Sequence, residues 1–314
     1  MRAVRLHEYG PVENLRLEEV PDPVPGAGQV RVAVTASGMQ LLETWLRQGR
    51  RVGPHPAPPL PAVLGGEIAG VVDAVGEGVD GRWLGRRVTA SIEGGGYAEL
   101  ALAELGDLHP LPDGLGEAEA VAMISTGVTA LAVWDLADAG PGDVVLVTAA
   151  AGGIGGILLQ VAKAAGATVI GLAGGETKTR LVRDAGADLA IDYLAPGWPG
   201  GIEGKVTVAL DGVGGEIAQK AWNLADKGVS FGAAADSGDI SRPLPPHVTS
   251  LFTSPLMAEF GDPEGLRRHV DRALRTAADG DIRPAVTTFA LADTAAAQRA
   301  LANRETTGKV VLLP

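Results

Sequence analysis

The pattern of apolar and polar residues changes about one third of the way along the 314-residue chain. Before Gly116, short runs of alternating apolar and polar residues are separated by Pro and Gly, as in RAVRLHEYG and QVRVAVTASG. An alternation with a period of two is typical of strands that are buried on one face. This part of the chain is therefore predicted to form a small, mostly antiparallel β domain, built as a partly open barrel.

After Gly116 the pattern alternates between strand-like and helix-like segments. Residues 117–139 have helical spacing, and residues 141–174 are interpreted as strand, turn, helix and strand. Further strands and helices follow, up to a helix in PEGLRRHVDRALRTAADGD and a final strand in GKVVLLP. This alternation predicts an α/β fold with a doubly wound parallel sheet that is covered by helices on both faces.

One uncharged run, from Val144 to Ala162, is long enough to suggest a membrane span. Four glycines interrupt its middle and its first part is β-branched, so that a strand, a tight turn and a helix explain it better. The N-terminal segment MRAVRLHEYG lacks the apolar region of a signal peptide. We therefore expect a cytoplasmic protein without a membrane partner.

Composition and charge narrow the classes of function. The net charge of −12 argues against nucleic acid and against anionic lipid, because both bind basic surfaces. The chain contains no cysteine, which excludes disulfides, thiol nucleophiles and thiolate metal sites. The length suggests two domains, each large enough to bury a core of its own.

The strongest chemical signal is a glycine-rich turn between a strand, VVLVT, and a helix, ILLQVAKAAG. It has the pattern A-x-G-x-x-G, in which Ala150 stands where the first glycine of a dinucleotide fingerprint is usual. In this context the backbone approaches a pyrophosphate at the N-terminus of the helix. The turn therefore predicts a dinucleotide-binding site.

The end of the second strand bears on which dinucleotide binds. Enzymes that use NAD usually carry an acidic residue there, and this chain has Ala173. Lys178 and Arg180 follow, and cations suit the 2′-phosphate of NADP. Glu176 opposes this interpretation because it would repel a phosphate if it pointed inward, and Lys178 could also be a solvated residue at the start of a helix.

Several segments together resemble one family: LGGEIAGVV, PGDVVLVTAAAGGIG, LLQVAKAAGATVIG, AGADLAIDY and LDGVGG. The chain is similar over nearly its whole length to the zinc-free medium-chain dehydrogenases/reductases of the quinone oxidoreductase type, which include zeta-crystallin. The resemblance implies a GroES-like substrate domain over residues 1–116 and 262–314, and a Rossmann domain that binds NADPH over residues 117–261. It also implies an active site in the cleft and a homodimer.

The resemblance further implies which residues hold the cofactor. Lys178, Tyr193 and Arg304 match the family's 2′-phosphate site, although Tyr193 could instead be strand-end packing and Arg304 a surface charge. Thr129 matches a contact near the nicotinamide. The expected cofactor-binding set is Thr129, Ala150, Gly152, Gly153, Ile154, Gly155, Gly174, Lys178, Tyr193, Val213, Phe231, Gly232, Ala233 and Arg304.

The reaction cleft departs from the family's pattern, N-x-x-D-x-x-x-R-x-G. This chain has Gln40, Glu43 and Arg47 at the first three positions, so the amide and the carboxylate are each one methylene longer. Trp45 replaces a tyrosine that is frequent in the family, which predicts a reshaped pocket without a phenolic proton donor. Gln40, Glu43 and Arg47 are the catalytic candidates.

These three candidates have different expected roles. Gln40 is expected to be an amide donor near the substrate oxygen or the nicotinamide ribose. Glu43 is expected to order Arg47 or a loop, or to be a plain carboxylate on a helix face. Glu67 is expected to brace the turn that it follows.

A metal site is not expected. Zinc-dependent alcohol dehydrogenases have Gly-His-Glu-x-x-Gly where this chain has LGGEIAG, so that Gly66 stands in place of a histidine ligand. Catalytic zinc needs three protein ligands. The five histidines are scattered along the chain: His7, His55, His109, His247 and His269.

Without zinc, reduction of a quinone or an α,β-unsaturated carbonyl is less demanding than oxidation of an alcohol, because the negative charge is delocalised. The expected activity is therefore an NADPH-dependent, metal-independent reductase of such small molecules. Two alternatives stay open. One is an enoyl reductase specific to one biosynthetic pathway, and the other is a sensor or structural protein that binds NADPH with little turnover.

Overall fold

A computed structural model describes residues 1–235, 239, 241 and 243–314 of the chain. The chain divides into two compact units. Unit 1 consists of Met1–Ser125 and Val270–Pro314, and unit 2 consists of Thr126–His269. The domain limits predicted from the resemblance, at residues 117 and 262, stay a prediction.

The strands, numbered along the chain, are β1 Arg2–Leu6, β2 Leu15–Glu19, β3 Gln29–Met39, β4 Ala62–Val63, β5 Glu67–Val75, β6 Arg87–Ser91, β7 Leu100–Glu104, β8 Leu108–Pro110, β9 Val144–Val147, β10 Thr168–Ala173, β11 Leu189–Asp192, β12 Val206–Asp211, β13 Ala225–Ser230, β14 Val248–Ser250, β15 Val286–Ala290 and β16 Lys309–Leu313. The α-helices are α1 Leu41–Leu46, α2 Glu117–Ala122, α3 Val128–Ala137, α4 Gly153–Ala164, α5 Glu176–Asp184, α6 Gly215–Leu224, α7 Leu256–Gly261, α8 Pro263–Ala278 and α9 Thr294–Ala302.

Unit 1 is built on two β-sheets. The smaller sheet has the order β2-β1-β4, and the larger has the order β15-β16-β3-β5-β6-β8, with β7 also paired to β3. All these pairs are antiparallel except β15 with β16. Alternate residues of β3 are buried, as its sequence pattern predicts: Val30 and Val32 pack with Ile68 and Val88 in one core. The prediction of a mostly antiparallel β unit is confirmed.

Unit 2 is a doubly wound α/β unit. Its six strands have the order β11-β10-β9-β12-β13-β14, and every pair is parallel. The order reverses direction between β9 and β12, which is the point where open sheets of this kind bind ligands at the carboxyl ends of the strands. The apolar run of β9 is buried because parallel strands are covered on both faces.

The uncharged run from Val144 to Ala162 forms β9, a turn and most of α4, as predicted. The helical pattern over residues 117–139 forms α2, a π-helical turn at Met123–Gly127 and α3. In the described part of the chain, Glu117–Ala137 is the one helical stretch that is long and apolar enough to cross a membrane. However, 72% of its apolar window is buried inside the protein, as in a core helix.

Candidate functional site

The glycine-rich turn of unit 2 lies between the end of β9 and the start of α4. Ala149 has a positive φ of 49°, and Gly152 is the N-cap of α4. The turn is held by two backbone hydrogen bonds, from Ala150 N to Leu172 O at 2.9 Å and from Gly152 N to Ala149 O at 2.8 Å. Ala150, Gly152, Gly153, Ile154 and Gly155 therefore lie together, in the turn or in the first turn of the helix.

Gly155 is the position that lets the helix approach the turn. A Cβ atom added there would lie 2.3 Å from the carbonyl oxygen of Ala149, which is too close for any other residue. The first N–H groups of a helix have no acceptor within the helix, and they carry the positive end of its dipole. This geometry suits a phosphate or a pyrophosphate.

A buried aspartate fixes the neighbouring loop after β12. The carboxylate of Asp211 accepts hydrogen bonds from the hydroxyl of Thr148 at 2.8 Å, from Val213 N at 3.2 Å and from Gly214 N at 3.0 Å. Asp211 and Thr148 are both 0% exposed. Sequence analysis assigned no role to Asp211; its signal is an acidic residue at the end of an apolar strand and before a glycine-rich turn.

The candidates Val213, Phe231, Gly232 and Ala233 lie close to that loop. Phe231 N donates to Asp211 O at 2.8 Å, and Ala235 N donates to Val213 O at 2.7 Å. Val213, Phe231 and Ala233 are buried. The ends of β12 and β13 thus bring these residues together at the carboxyl edge of the sheet. Thr129 lies in the first turn of α3 and is half-buried.

Gly174 and Tyr193 are neighbours at the end of β10. Tyr193 N donates to Ala173 O at 3.0 Å, and a Cβ atom on Gly174 would lie 2.9 Å from the Tyr193 hydroxyl. Lys178 is half-buried in the first turn of α5. The structure therefore places these three candidates of the expected 2′-phosphate site around the start of one helix.

Glu176 and Arg304 also bear on that expected site. Glu176, which would oppose a phosphate, is exposed at the first position of α5. Arg304 belongs to unit 1, where it is exposed and has a positive φ of 58° in the loop after α9.

A cluster of polar side chains is buried in unit 1, and we call Gln40, Glu43, Glu67, Tyr97 and Lys309 the buried polar cluster. Gln40 is the N-cap of α1. Its Nε2 donates to Oε1 of Glu67 at 2.8 Å, and Nζ of Lys309 lies 2.5 Å from Oε2 of Glu67. Glu67 is 0% exposed and Lys309 is 5% exposed, so the two charges form a buried ion pair.

The Glu43 carboxylate accepts four hydrogen bonds. Its Oε2 binds Gln40 N and the hydroxyl of Tyr97, both at 2.7 Å. Its Oε1 binds Gly65 N at 3.0 Å and Gly66 N at 3.2 Å. The carboxylate thus links the start of α1 to the turn before β5. Gly66, at the position of a histidine ligand in the zinc-dependent enzymes, donates its N–H to Glu43.

Burial changes the pKa values of Glu43 and Tyr97. Desolvation raises the pKa of the Glu43 carboxyl, and the hydrogen bonds from Gln40 and Tyr97 act in the opposite direction. Desolvation and the neighbouring Glu43 raise the pKa of the Tyr97 hydroxyl well above its usual value. Tyr97 therefore stays protonated, and its proton is committed to Glu43.

Arg47 is turned into the interior of unit 1. Its Nε donates to Oε1 of Gln298 at 2.7 Å, and its guanidinium also donates to the carbonyl of Gly10. Arg47 is 4% exposed, and desolvation lowers the pKa of its guanidinium. These contacts connect the end of α1 to α9 and to the loop after β1.

Sequence analysis missed two members of the buried polar cluster. Tyr97 comes from the segment GGGYAEL, and it is a phenol beside Glu43 although the usual tyrosine is replaced by Trp45. Lys309 comes from GKVVLLP, where a lysine at the start of an apolar strand was the only signal. In the residues that the structure describes, no group of three or more His, Asp or Glu side chains is arranged to hold a metal ion.

Two family models match the chain. The alcohol dehydrogenase GroES-like domain matches residues 26–113, and the zinc-binding dehydrogenase model matches residues 185–312. Among curated proteins, a quinone oxidoreductase of Pseudomonas aeruginosa is 34% identical over 100% of this chain and 99% of its own length. A 2-haloacrylate reductase of a Burkholderia species is 32% identical over 99% of this chain and 98% of its own length.

Among solved structures, Escherichia coli quinone oxidoreductase complexed with NADPH superimposes with a TM-score of 0.85. It is 27% identical, and the match covers 100% of both chains. The similarity therefore extends over both units.

Proposed function

The chain belongs to the quinone oxidoreductase family of medium-chain dehydrogenases/reductases, and we propose that it is an NADPH-dependent reductase of a quinone or an α,β-unsaturated carbonyl. The observation that carries the proposal is the turn between β9 and α4, with Gly155 packed against Ala149. The structure of the E. coli relative with NADPH supports the choice of cofactor.

The residues of unit 2 fit such a cofactor. The turn from Ala150 to Gly155 would hold the pyrophosphate, because its N–H groups lie at the positive end of α4. The loop fixed by Asp211, together with Val213 and the backbone of Phe231, Gly232 and Ala233, would line the path to the nicotinamide, with Thr129 nearby.

The 2′-phosphate would be held at the start of α5. Lys178 supplies a cation and Tyr193 a hydroxyl beside Gly174. The strand ends in Ala173, and no carboxylate at that residue competes for the ribose. We include Arg304 in this site on the strength of the family resemblance alone.

The buried polar cluster would serve the substrate. When bound, NADPH supplies a hydride. Addition of a hydride to a quinone or an enone produces a negative charge that is delocalised onto the carbonyl oxygen. Hydrogen-bond donors can stabilise this charge without a metal. Of the three catalytic candidates, Gln40 is half-buried and the most accessible. Glu43 and Arg47 are fully engaged in holding α1, so we propose positioning roles for both.

The substrate class has support from two relatives, the quinone oxidoreductase and the 2-haloacrylate reductase, since the second name describes an activated alkene. We further propose a cytoplasmic homodimer with a small-molecule substrate, as the family resemblance implies.

The test is steady-state consumption of NADPH, with NADH in parallel, against an ortho-quinone, a simple enone and a short panel of enoyl thioesters. Turnover of the quinone or the enone with a strong preference for NADPH supports the proposal. Turnover of an enoyl thioester alone would favour the pathway-specific enoyl reductase. Tight binding of NADPH without any turnover would favour the sensor and contradict the proposal.

A further inference from the structure

We infer that Lys309 is a positioning residue of the proposed site: by pairing with Oε2 of Glu67, it leaves Oε1 of that carboxylate to orient the side-chain amide of Gln40. The inference rests on the role of Gln40 that we propose above. Lys309 lies near the end of the chain, and its ion pair is with Glu67 rather than with Gln40.

The orientation of the amide follows from the donors and acceptors. An ionised carboxylate only accepts hydrogen bonds, and a glutamine amide has one edge that donates and one that accepts. Oε1 of Glu67 lies 2.8 Å from Nε2 of Gln40. Were the amide turned over, two oxygens would face each other at that distance. Gln40 therefore donates through Nε2 to Glu67, and its side chain also accepts from the backbone N–H of Glu43 in a capping box.

Lys309 supplies the positive charge beside the buried Glu67 carboxylate. A carboxylate that is 0% exposed is costly to bury without a cation beside it. Nζ of Lys309 lies 2.5 Å from Oε2, the oxygen that Gln40 does not use. Glu43 and Tyr97 also lie near Glu67, and neither supplies a positive charge.

The space that the Glu67 carboxylate occupies depends on a glycine at position 38. A Cβ atom on Gly38 would lie 2.2 Å from Oε2 of Glu67 and 2.6 Å from Cγ1 of Val121. The absence of a side chain at Gly38 on β3 therefore leaves room for the ion pair between Glu67 of β5 and Lys309 of β16.

The first experiment is a double-mutant cycle of Lys309→Met and Gln40→Ala, with kcat/KM measured for NADPH and the best quinone or enone. We expect about a tenfold loss from Lys309→Met, and no further loss when it is added to Gln40→Ala, because the two residues act as one unit. Lys309→Arg, which keeps the charge, should restore most of the activity. Losses that multiply in the double variant would overturn the inference, since a merely structural lysine acts independently of Gln40.

The second readout needs no turnover. In protein labelled with ¹⁵N-glutamine, the side-chain amide signals of Gln40 are assigned by their loss in Gln40→Ala. We expect these signals to shift in Lys309→Met and in Glu67→Gln. Gln29 provides a matched control in the same unit, because its Nε2 donates to Oε1 of Glu104 at 2.7 Å on the surface, and its signals should not move.

The two readouts separate this inference from the proposed function. Unchanged Gln40 signals in both Lys309→Met and Glu67→Gln would overturn the inference, even if the wild-type enzyme is active. If the wild-type protein reduces no substrate, the proposed function fails, and the amide signals still decide whether Lys309 orients Gln40. If Lys309→Met does not fold, Glu67→Gln supplies the same test.

Discussion

The hydroxyl of Tyr97 donates a 2.7 Å hydrogen bond to the carboxylate of Glu43, and the two residues are 0% and 5% exposed. The same carboxylate binds the N–H of Gly66. Where the zinc-dependent enzymes have a histidine ligand, this chain has a backbone donor to a buried carboxylate. Hydrogen bonds thus hold this turn in place in the present protein.

Replacement of Tyr97 by phenylalanine removes one of the four donors to that buried carboxylate. We expect Tyr97→Phe to lower the free energy of unfolding by about 1–3 kcal/mol, because a buried charge loses a hydrogen bond. Tyr9→Phe is the control: the Tyr9 hydroxyl donates to Pro58 O at the surface, and its loss should cost about 0.5 kcal/mol or less. Equal thermal midpoints for the two variants would contradict the assigned role of Tyr97.

The raised pKa of Glu43 predicts how its contribution to stability depends on pH. The folded state holds the proton more tightly than the unfolded state, so this contribution is complete below the ordinary glutamate pKa of about 4.3. It is lost as the pH rises through the raised value. The advantage of wild type over Glu43→Gln in thermal midpoint should therefore shrink as the pH rises from about 4.3 through the raised pKa of Glu43.

Glu99→Gln is the matched control for this pH series. Hydrogen bonds from the backbone and the side chain of Arg2 lower the pKa of Glu99. The advantage of wild type over this variant should therefore grow as the pH rises from the lowered pKa, the opposite trend. The same trend in both variants would show that Glu43 is not desolvated in the way described.

Substitution of Gly155 should impair the proposed binding of NADPH. A Cβ atom there would lie 2.3 Å from the Ala149 carbonyl, so the turn must move. We expect Gly155→Ala to raise the Kd for NADPH at least about tenfold, or 1.4 kcal/mol. At Gly156 a Cβ atom would meet its nearest atom, the Ala150 carbonyl oxygen, at 3.6 Å, and Gly156→Ala should change Kd less than about twofold. Fluorescence titration measures the Kd for NADPH of both variants. Equal Kd values would contradict the proposed pyrophosphate site.

The cation at Lys178 should determine the preference for NADPH over NADH. We expect Lys178→Ala to lower kcat/KM with NADPH about tenfold and to leave kcat/KM with NADH unchanged, since NADH has no 2′-phosphate. Arg183→Ala removes an exposed charge from the last turn of the same helix, and it should alter neither value. An equal loss with both cofactors would place Lys178 outside the 2′-phosphate site.

Local sequence signals predicted unit 2 well. The apolar run of β9, the glycine-rich turn and α4 follow one another within about twenty residues, and each element has its own periodicity. The absence of an acidic residue at Ala173 could likewise be read from the sequence once the end of β10 was located.

The buried polar cluster could not be predicted in the same way, because its members are far apart along the chain. Tyr97 is 54 residues from Glu43, and Glu67 is 27 residues from Gln40. Their contacts depend on how β16, β3 and β5 pair. Gly38 of β3 pairs with Glu67 of β5 on one side and with Val311 of β16 on the other. No local periodicity encodes that register, so Lys309 carried no functional signal.

The measurement to make is transfer of deuterium from NADPH that carries deuterium at both C4 positions into the product of a simple enone, with protein treated with a chelator. We expect one deuterium at the β-carbon, at an initial rate that the chelator does not change. This result would identify a reductase that uses NADPH and needs no metal. Product without deuterium, or activity that is lost with the chelator and restored by zinc, would contradict it.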